Sequence, residues 1–210
     1  LLMQTALPLV CLFGFGTVGE KLTGVAESSL QQVVVLALWA VIILGSLLVR
    51  PVHRIRPAGD LLLVVTFYAF AALSVLWSGL ATPSVLKSLA LVVTTIGAWR
   101  LAVSLELERI LDGVVAGFLI AVAASVALAL AVPRIGVVDT WMHKGQWQGI
   151  YYSKQSLSFA AAYLMFFAAV RLGGGHRRLY HALAIGLGIV AAIGSGSRGG
   201  GALALLAILV

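Results

Sequence analysis

The chain contains about eight apolar segments, most of them close to the roughly 20 residues that a helix needs to cross a bilayer. They run at approximately 2–18, 30–49, 60–79, 85–104, 110–132, 156–171, 179–194 and from 202 to the end. Such unbroken apolar runs lack the alternation of a membrane β-barrel. Charged residues form only 10% of the chain, against roughly 25% in soluble domains. We therefore predict an all-α, polytopic transmembrane bundle of about eight helices, the last of them truncated.

The ends of the sequence bear on its domain organisation. The chain starts at Leu1 and stops at Val210, inside an apolar run that has about half the length of a spanning helix. We therefore expect residues 1–210 to be a single transmembrane domain that forms the N-terminal part of a larger membrane protein.

Arginine-rich loops indicate how the segments cross the membrane. The loops at 50–57 and 171–181 hold three arginines each, and such loops lie on the cytoplasmic side. We expect His181 to be a solvated residue of the second loop. The loops at 133–155 and 195–201 then face outward. Because the basic residues lie in short loops between apolar segments, the net charge of +7 predicts contact with membrane lipids and no nucleic-acid partner.

The outer loop 133–155 has an unusual composition. Lys144 and Lys154 bracket aromatic and amide side chains, on the side of the membrane where lysines are disfavoured. Aromatic faces with amide donors suit sugar rings, and lysines suit phosphate. The substrate-binding candidates are His143, Lys144, Trp147, Tyr151, Tyr152 and Gln155. The alternative, for Trp147 above all, is an aromatic belt at the membrane interface.

A second polar stretch, GSGSRGGGA at 194–202, places Arg198 among glycines. Glycines at this point predict a helix break, and broken helices at membrane depth occur where they line a cavity. Backbone amides, the hydroxyls of Ser195 and Ser197 and the guanidinium of Arg198 would then form an anion site. The alternative is an ordinary glycine-rich turn with an interfacial arginine. With the outer loop, this stretch predicts an outward-facing cavity for a polyprenyl-diphosphate-linked glycan.

Three stretches resemble, in order and spacing, the O-antigen ligase and polymerase superfamily, most closely its exopolysaccharide polymerase branch. They are VLWSGLATPSVLKSL (75–89), GQWQGIYYSKQSLSFAAAYLMFF (145–167) and IGSGSRGGGALALLAIL (193–209). The matched motif positions are Trp77 and Ser78 for W-S, Gly149, Lys154 and Leu157 for G-x-x-x-H-K-N-x-L, and Ser195, Ser197, Arg198 and Gly199 for S-x-S-R-G. Ser153 and Gln155 stand where the family has His and Asn.

The resemblance implies a glycosyltransferase that needs no metal or other cofactor. It would transfer or polymerise a glycan from undecaprenyl diphosphate onto a sugar or lipid-linked acceptor, in O-antigen (lipopolysaccharide) or exopolysaccharide biosynthesis. The site would lie at the periplasmic face of the bacterial inner membrane, with Arg198 and Lys154 as catalytic residues that stabilise the diphosphate leaving group. A large periplasmic loop is expected beyond residue 210.

Two alternatives from other functional classes remain open. A transporter or flippase of an anionic polyprenyl-linked glycolipid would use the same cations and the same broken helix. A membrane scaffold would bind a polysaccharide through the outer loop without any chemistry, and it predicts a mild effect of Arg198→Ala.

Overall fold

The structure, a computed structural model, is all-helical in the part of the chain that it describes. That part comprises residues 6–10, 29–48, 60–77, 81–139, 141, 144–151, 153–175 and 177–197. The helices are α1 (Ser29–Leu47), α2 (Asp60–Leu73), α3 (Ala81–Ser104), α4 (Leu107–Ala131), α5 (Lys154–Gly173) and α6 (Arg178–Ser195). A 3-10 turn, Ser74–Trp77, extends α2, and a short helical turn, Pro133–Gly136, follows α4.

These six helices confirm the helical prediction for the six middle apolar segments, with ends that differ by a few residues. Of the segment predicted at 2–18, only residues 6–10 are described, and they are helical. The segment predicted from 202 onward lies outside the described residues. The total of about eight helices therefore stays a prediction.

Within the described residues, three helices are long and apolar enough to cross a membrane: α4, α5 and α6. The 25 residues of α4 extend about 37 Å at about 1.5 Å per residue, which exceeds the roughly 30 Å thickness of a hydrocarbon core. A shorter apolar helix is described at Val33–Leu47. The described chain thus has the helices of a membrane protein.

The core lies where α4, α5 and α6 pack together, and alanines dominate the contact. Small side chains let helix backbones approach closely, which is how membrane helices gain packing energy without a hydrophobic driving force. The alanines with no exposed surface are Ala121, Ala160, Ala161, Ala168, Ala184 and Ala191. Arg171 at the end of α5 pairs with Asp112 near the start of α4, so these two helices run antiparallel. The described residues of the connection 132–153 lie at the end of the bundle where α6 ends, since Trp147 bonds to Gly194.

A second core joins α1 to α3. The indole of Trp39 packs on Gly97, where any side chain would overlap with the ring. Arg100 closes the end of α1, since its Nε donates to Ser46 Oγ at 2.8 Å and its Nη2 donates to the Ser46 carbonyl at 2.8 Å. A cation near the last carbonyls of a helix is favourable, so this arginine stabilises the α1–α3 pair.

At the other end of the main bundle, the structure corrects two expectations for the loop 171–181. Arg171 lies in the last turn of α5, and only 8% of its side chain is exposed because it pairs with Asp112 of α4. His181 is also not a solvated loop residue. It lies in the first turn of α6, on the same buried face of the helix as Ala184 and Gly188. Only 1% of the His181 surface is exposed.

Candidate functional site

The connection between α4 and α5 folds back on itself through backbone hydrogen bonds. Val138 N donates to the Gln146 carbonyl at 2.8 Å, and Gly145 N donates to the Val138 carbonyl at 3.2 Å. An isolated β-bridge pairs Val137 with Trp147. These bonds join the described stretches 132–139 and 144–151 of the connection through their backbone groups.

The connection is attached to α4 at Gly149. This glycine has a φ of 60° and lies directly against Ser125, so that a β-carbon at position 149 would overlap with the serine. The Ser125 hydroxyl accepts from Ile150 N at 3.3 Å and donates to the Ala121 carbonyl at 2.8 Å. Beside it, Tyr151 is fully buried in the core between the helices. Only glycine fits both the backbone conformation and the space here.

The connection is also attached to the end of α6. Trp147 N donates to the Gly194 carbonyl at 2.8 Å, and the Trp147 indole covers Gly194 so closely that a β-carbon there would overlap with the ring. The two stretches that the sequence marks as polar, 145–154 and 194–197, are therefore neighbours in the fold.

Lys154 is the first residue of α5. The preceding Ser153 caps the helix, because its Oγ accepts from Ser156 N at 3.1 Å. A cation at this position opposes the helix dipole, which places partial positive charge at the N-terminus. The amine of Lys154 donates to Gln146 Oε1 at 2.6 Å. This lysine therefore gains nothing from the dipole of α5, and one of its hydrogen bonds, to Gln146 in the outer connection, is to a neutral amide.

The same glutamine reaches the end of α6. That helix ends at Gly196, which has the left-handed values φ 58° and ψ 19°. Helix α6 thus ends where the glycine-rich stretch predicts, whereas residues 198–202 of that stretch lie outside the described residues. A β-carbon at position 196 would lie 2.8 Å from Gln146 Nε2, so the amide lies against the backbone there. Lys154, Gln146 and Gly196 form one contiguous cluster, and Ser197 follows it in the chain.

The predicted site residues fall into four groups. His143, Tyr152 and Arg198 lie outside the described residues. The exposed ones are Lys144 and Gln155, and the partly exposed ones are Trp147, Lys154 and Ser197. The remaining two, Tyr151 and Ser195, are fully buried. The roles predicted for all of them stay predictions.

Ser195 has a structural hydrogen-bonding environment. Its hydroxyl donates to the Ala192 carbonyl at 2.8 Å and accepts from Ser197 N at 3.4 Å. The hydroxyl thus helps to satisfy backbone groups at the end of α6. Its contacts favour a role in shaping the turn before Arg198.

The charges at this end of the bundle are mainly positive. Between residues 132 and 154 the sequence carries Arg134, Lys144 and Lys154 against the single acid Asp139. Arg134, Lys144 and Asp139 are exposed, so the cations favour an anionic ligand at this surface. In the described part of the chain, no group of three or more His, Cys, Asp or Glu side chains is placed to hold a metal ion.

The sequence places Gln146 among the amides of the outer loop, but it does not predict Gln146 as a site residue. A lysine at the first position of a helix is a sign that a hydrogen-bond acceptor lies nearby, but the sequence offers several amides in this region. The structure selects Gln146, because its Oε1 accepts from Lys154.

No known protein family, curated protein or solved structure matches this chain.

Proposed function

We propose that the protein is a membrane glycosyltransferase that transfers or polymerises a glycan from undecaprenyl diphosphate. The proposed acceptor is a sugar or a lipid-linked glycan, and the proposed location is the periplasmic face of a bacterial inner membrane. The observation that carries the proposal is the 2.6 Å hydrogen bond from Lys154 to Gln146. It holds a cation at the positive end of a helix, beside the chain segment that leads to Arg198.

This arrangement is suited to a developing negative charge. The partial positive charge of the α5 N-terminus and the ammonium of Lys154 act at the same place. These two positive charges repel each other, which destabilises the helix, but both attract the negative charge of a phosphate group. Gln146 is neutral, so its hydrogen bond orients the ammonium without cancelling its charge.

The proposed reaction is a displacement at the anomeric carbon of the donor sugar. The acceptor hydroxyl attacks this carbon and loses its proton, while the bond from the carbon to the diphosphate oxygen breaks. Negative charge grows on the departing undecaprenyl diphosphate. Lys154 and Arg198 are proposed to stabilise this charge electrostatically, as preorganised donors do in other active sites.

The other predicted binding residues divide by exposure. Lys144, Gln155 and the partly exposed Trp147 are proposed to contact the sugar or the headgroup region, with His143 and Tyr152. Tyr151 and Ser195 are fully buried, and they are proposed to support the site through packing and hydrogen bonding.

The test is transfer by the protein in membrane vesicles supplied with an undecaprenyl-diphosphate-linked donor. Lys154→Met and Arg198→Ala should each lower the rate by about 100–1,000-fold, the typical effect of removing one preorganised donor to a transition-state anion. Arg109→Ala is the control, because it removes an exposed cation near the opposite end of α4. It should leave the rate close to that of the unmodified protein.

The same vesicles separate transfer from transport. A transferase converts the donor to a longer or acceptor-linked glycan, whereas a flippase moves intact donor from one leaflet to the other. Intact donor that changes leaflet in a Lys154-dependent manner, without any product, would replace this proposal with the transport function. Wild-type rates in both Lys154→Met and Arg198→Ala would contradict it outright.

A further inference from the structure

We propose that Gln146 is a positioning residue, which fixes the ammonium of Lys154 relative to the segment that leads to Arg198. This inference rests on the proposed function, because it assigns Gln146 a task in presenting that cation to a diphosphate. Gln146 contacts both polar stretches, since its Oε1 accepts from Lys154 at 2.6 Å and its Nε2 lies against Gly196.

The backbone around Gln146 is held from both sides. Its own carbonyl accepts from Val138 N at 2.8 Å, and the next residue, Trp147, donates its N–H to the Gly194 carbonyl at 2.8 Å. Because the backbone is restrained on both sides of Gln146, the Gln146 side chain can reach only a limited region. The position of the amide is therefore a property of the fold of the connection.

The chemistry of the lysine fixes the orientation of the amide. An ammonium group has three donors and no acceptor, so it selects the amide oxygen. The NH₂ group of Gln146 then faces Gly196, where the absence of a side chain leaves room for it. Gln146 thus spans from the first residue of α5 to the end of α6, two residues before Arg198.

Neutrality is the second requirement at position 146. A glutamate there would accept the same hydrogen bond from Lys154, and it would also form an ion pair that cancels the charge of the lysine. A leucine would keep the side-chain bulk and remove the acceptor. If Gln146 only stabilised the fold, glutamate would serve as well as glutamine. If it presents a charge to an anion, both substitutions weaken anion binding.

The experiment measures the affinity of the protein in lipid nanodiscs for farnesyl diphosphate, used as a short-chain diphosphate probe. Q146E and Q146L should each weaken binding by about tenfold, which corresponds to about 1.4 kcal/mol. Q146E should unfold at the same denaturant concentration as the unmodified protein or at a higher one. If Q146E binds farnesyl diphosphate as tightly as the unmodified protein does, the inference is wrong. This test remains valid even if Q146L does not fold.

A double-mutant cycle with K154M tests whether Gln146 acts through the lysine. Residues that act through one another give non-additive effects, so Q146L should have little further effect in the K154M background. Q148L is the matched control, because the amide of Gln148 donates to the Ile135 carbonyl at 3.2 Å. Its effect should add to that of K154M.

The outcomes distinguish the two proposals. If K154M binds farnesyl diphosphate like the unmodified protein, the proposed function fails and this inference fails with it. If K154M weakens binding while Q146L adds its full effect to K154M, the assignment of Gln146 alone is wrong.

Discussion

The two ends of α5 carry cations in opposite electrostatic settings. Arg171, in the last turn, donates its Nε to Asp112 Oδ1 at 2.7 Å, and its Nη1 lies 3.6 Å from a carboxylate oxygen of Glu108. Lys154, at the first residue, donates to the neutral amide of Gln146. The helix dipole favours a cation at the C-terminus and disfavours one at the N-terminus.

This difference separates a stabilising cation from one placed for a ligand. Arg171 has two carboxylate partners and a favourable dipole, and 8% of its side chain is exposed, so its interactions are satisfied within the bundle. Lys154 gains little stability from its place on the helix. Substitution of Asp112, the partner of Arg171, should therefore change stability first, and substitution of Lys154 should change ligand binding first.

The largest stability effect is expected from Asp112→Ala. It leaves the buried Arg171 without its closest carboxylate, and breaking a buried pair costs about 3–5 kcal/mol. We expect about 3 kcal/mol, because 45% of the Asp112 side chain is exposed and Glu108 remains. The measurement is equilibrium unfolding in detergent micelles. Glu108→Gln is the control, and it should change stability by less than about 1 kcal/mol because that side chain is mostly exposed.

An intermediate effect is expected from Gly194→Ala, at the attachment of the outer connection to α6. The new methyl group overlaps with the Trp147 indole, and overpacking of this kind costs about 1–3 kcal/mol. The connection should also shift, so farnesyl diphosphate affinity should fall together with stability.

The matched control on the same helix is Gly186→Ala, because nothing lies within 4 Å of a β-carbon at that position. Alanine is a better helix former than glycine by roughly 0.5–1 kcal/mol, so this variant should be as stable as the unmodified protein or more stable. Equal losses of stability in both variants would show that the Trp147–Gly194 contact is not what the first one disrupts.

The smallest stability effect is expected from Lys154→Met. Removal of a cation from the first position of α5 relieves an unfavourable dipole interaction of about 0.3–1 kcal/mol and removes the hydrogen bond to Gln146. The two changes oppose each other, so unfolding should shift by less than about 1 kcal/mol. A loss as large as that of Asp112→Ala would mean that the two ends of α5 do not differ in the way described here.

Sequence reasoning recovered the helices because their signals are local. Segment length and apolarity decide which residues enter a helix in a membrane, and the six middle segments became α1 to α6. It also identified the glycine-rich end of α6, since Gly196 adopts a left-handed conformation that other residues avoid.

The cation pairings could not be read from the sequence in the same way. Arg171 and Asp112 are 59 positions apart, and whether they meet depends on how α4 and α5 pack. The sequence alone therefore predicts Arg171 as a residue of the arginine-rich loop 171–181. The sequence also does not show which amide of the outer loop bonds to Lys154, because the contacts of Gln146 with Lys154 and Gly196 depend on the fold of the connection.

The most direct test of the central claim replaces and then restores the charge of Lys154. In a Cys11→Ala background, Lys154→Cys should lower the rate of transfer from an undecaprenyl-diphosphate-linked donor by about 100–1,000-fold. Alkylation with 2-bromoethylamine converts the cysteine to a lysine-like ammonium, whereas iodoacetamide adds a neutral amide to it. Transfer should return after alkylation with 2-bromoethylamine and should not return after alkylation with iodoacetamide. Full activity of Lys154→Cys before alkylation, or equal recovery with both reagents, would contradict the central claim.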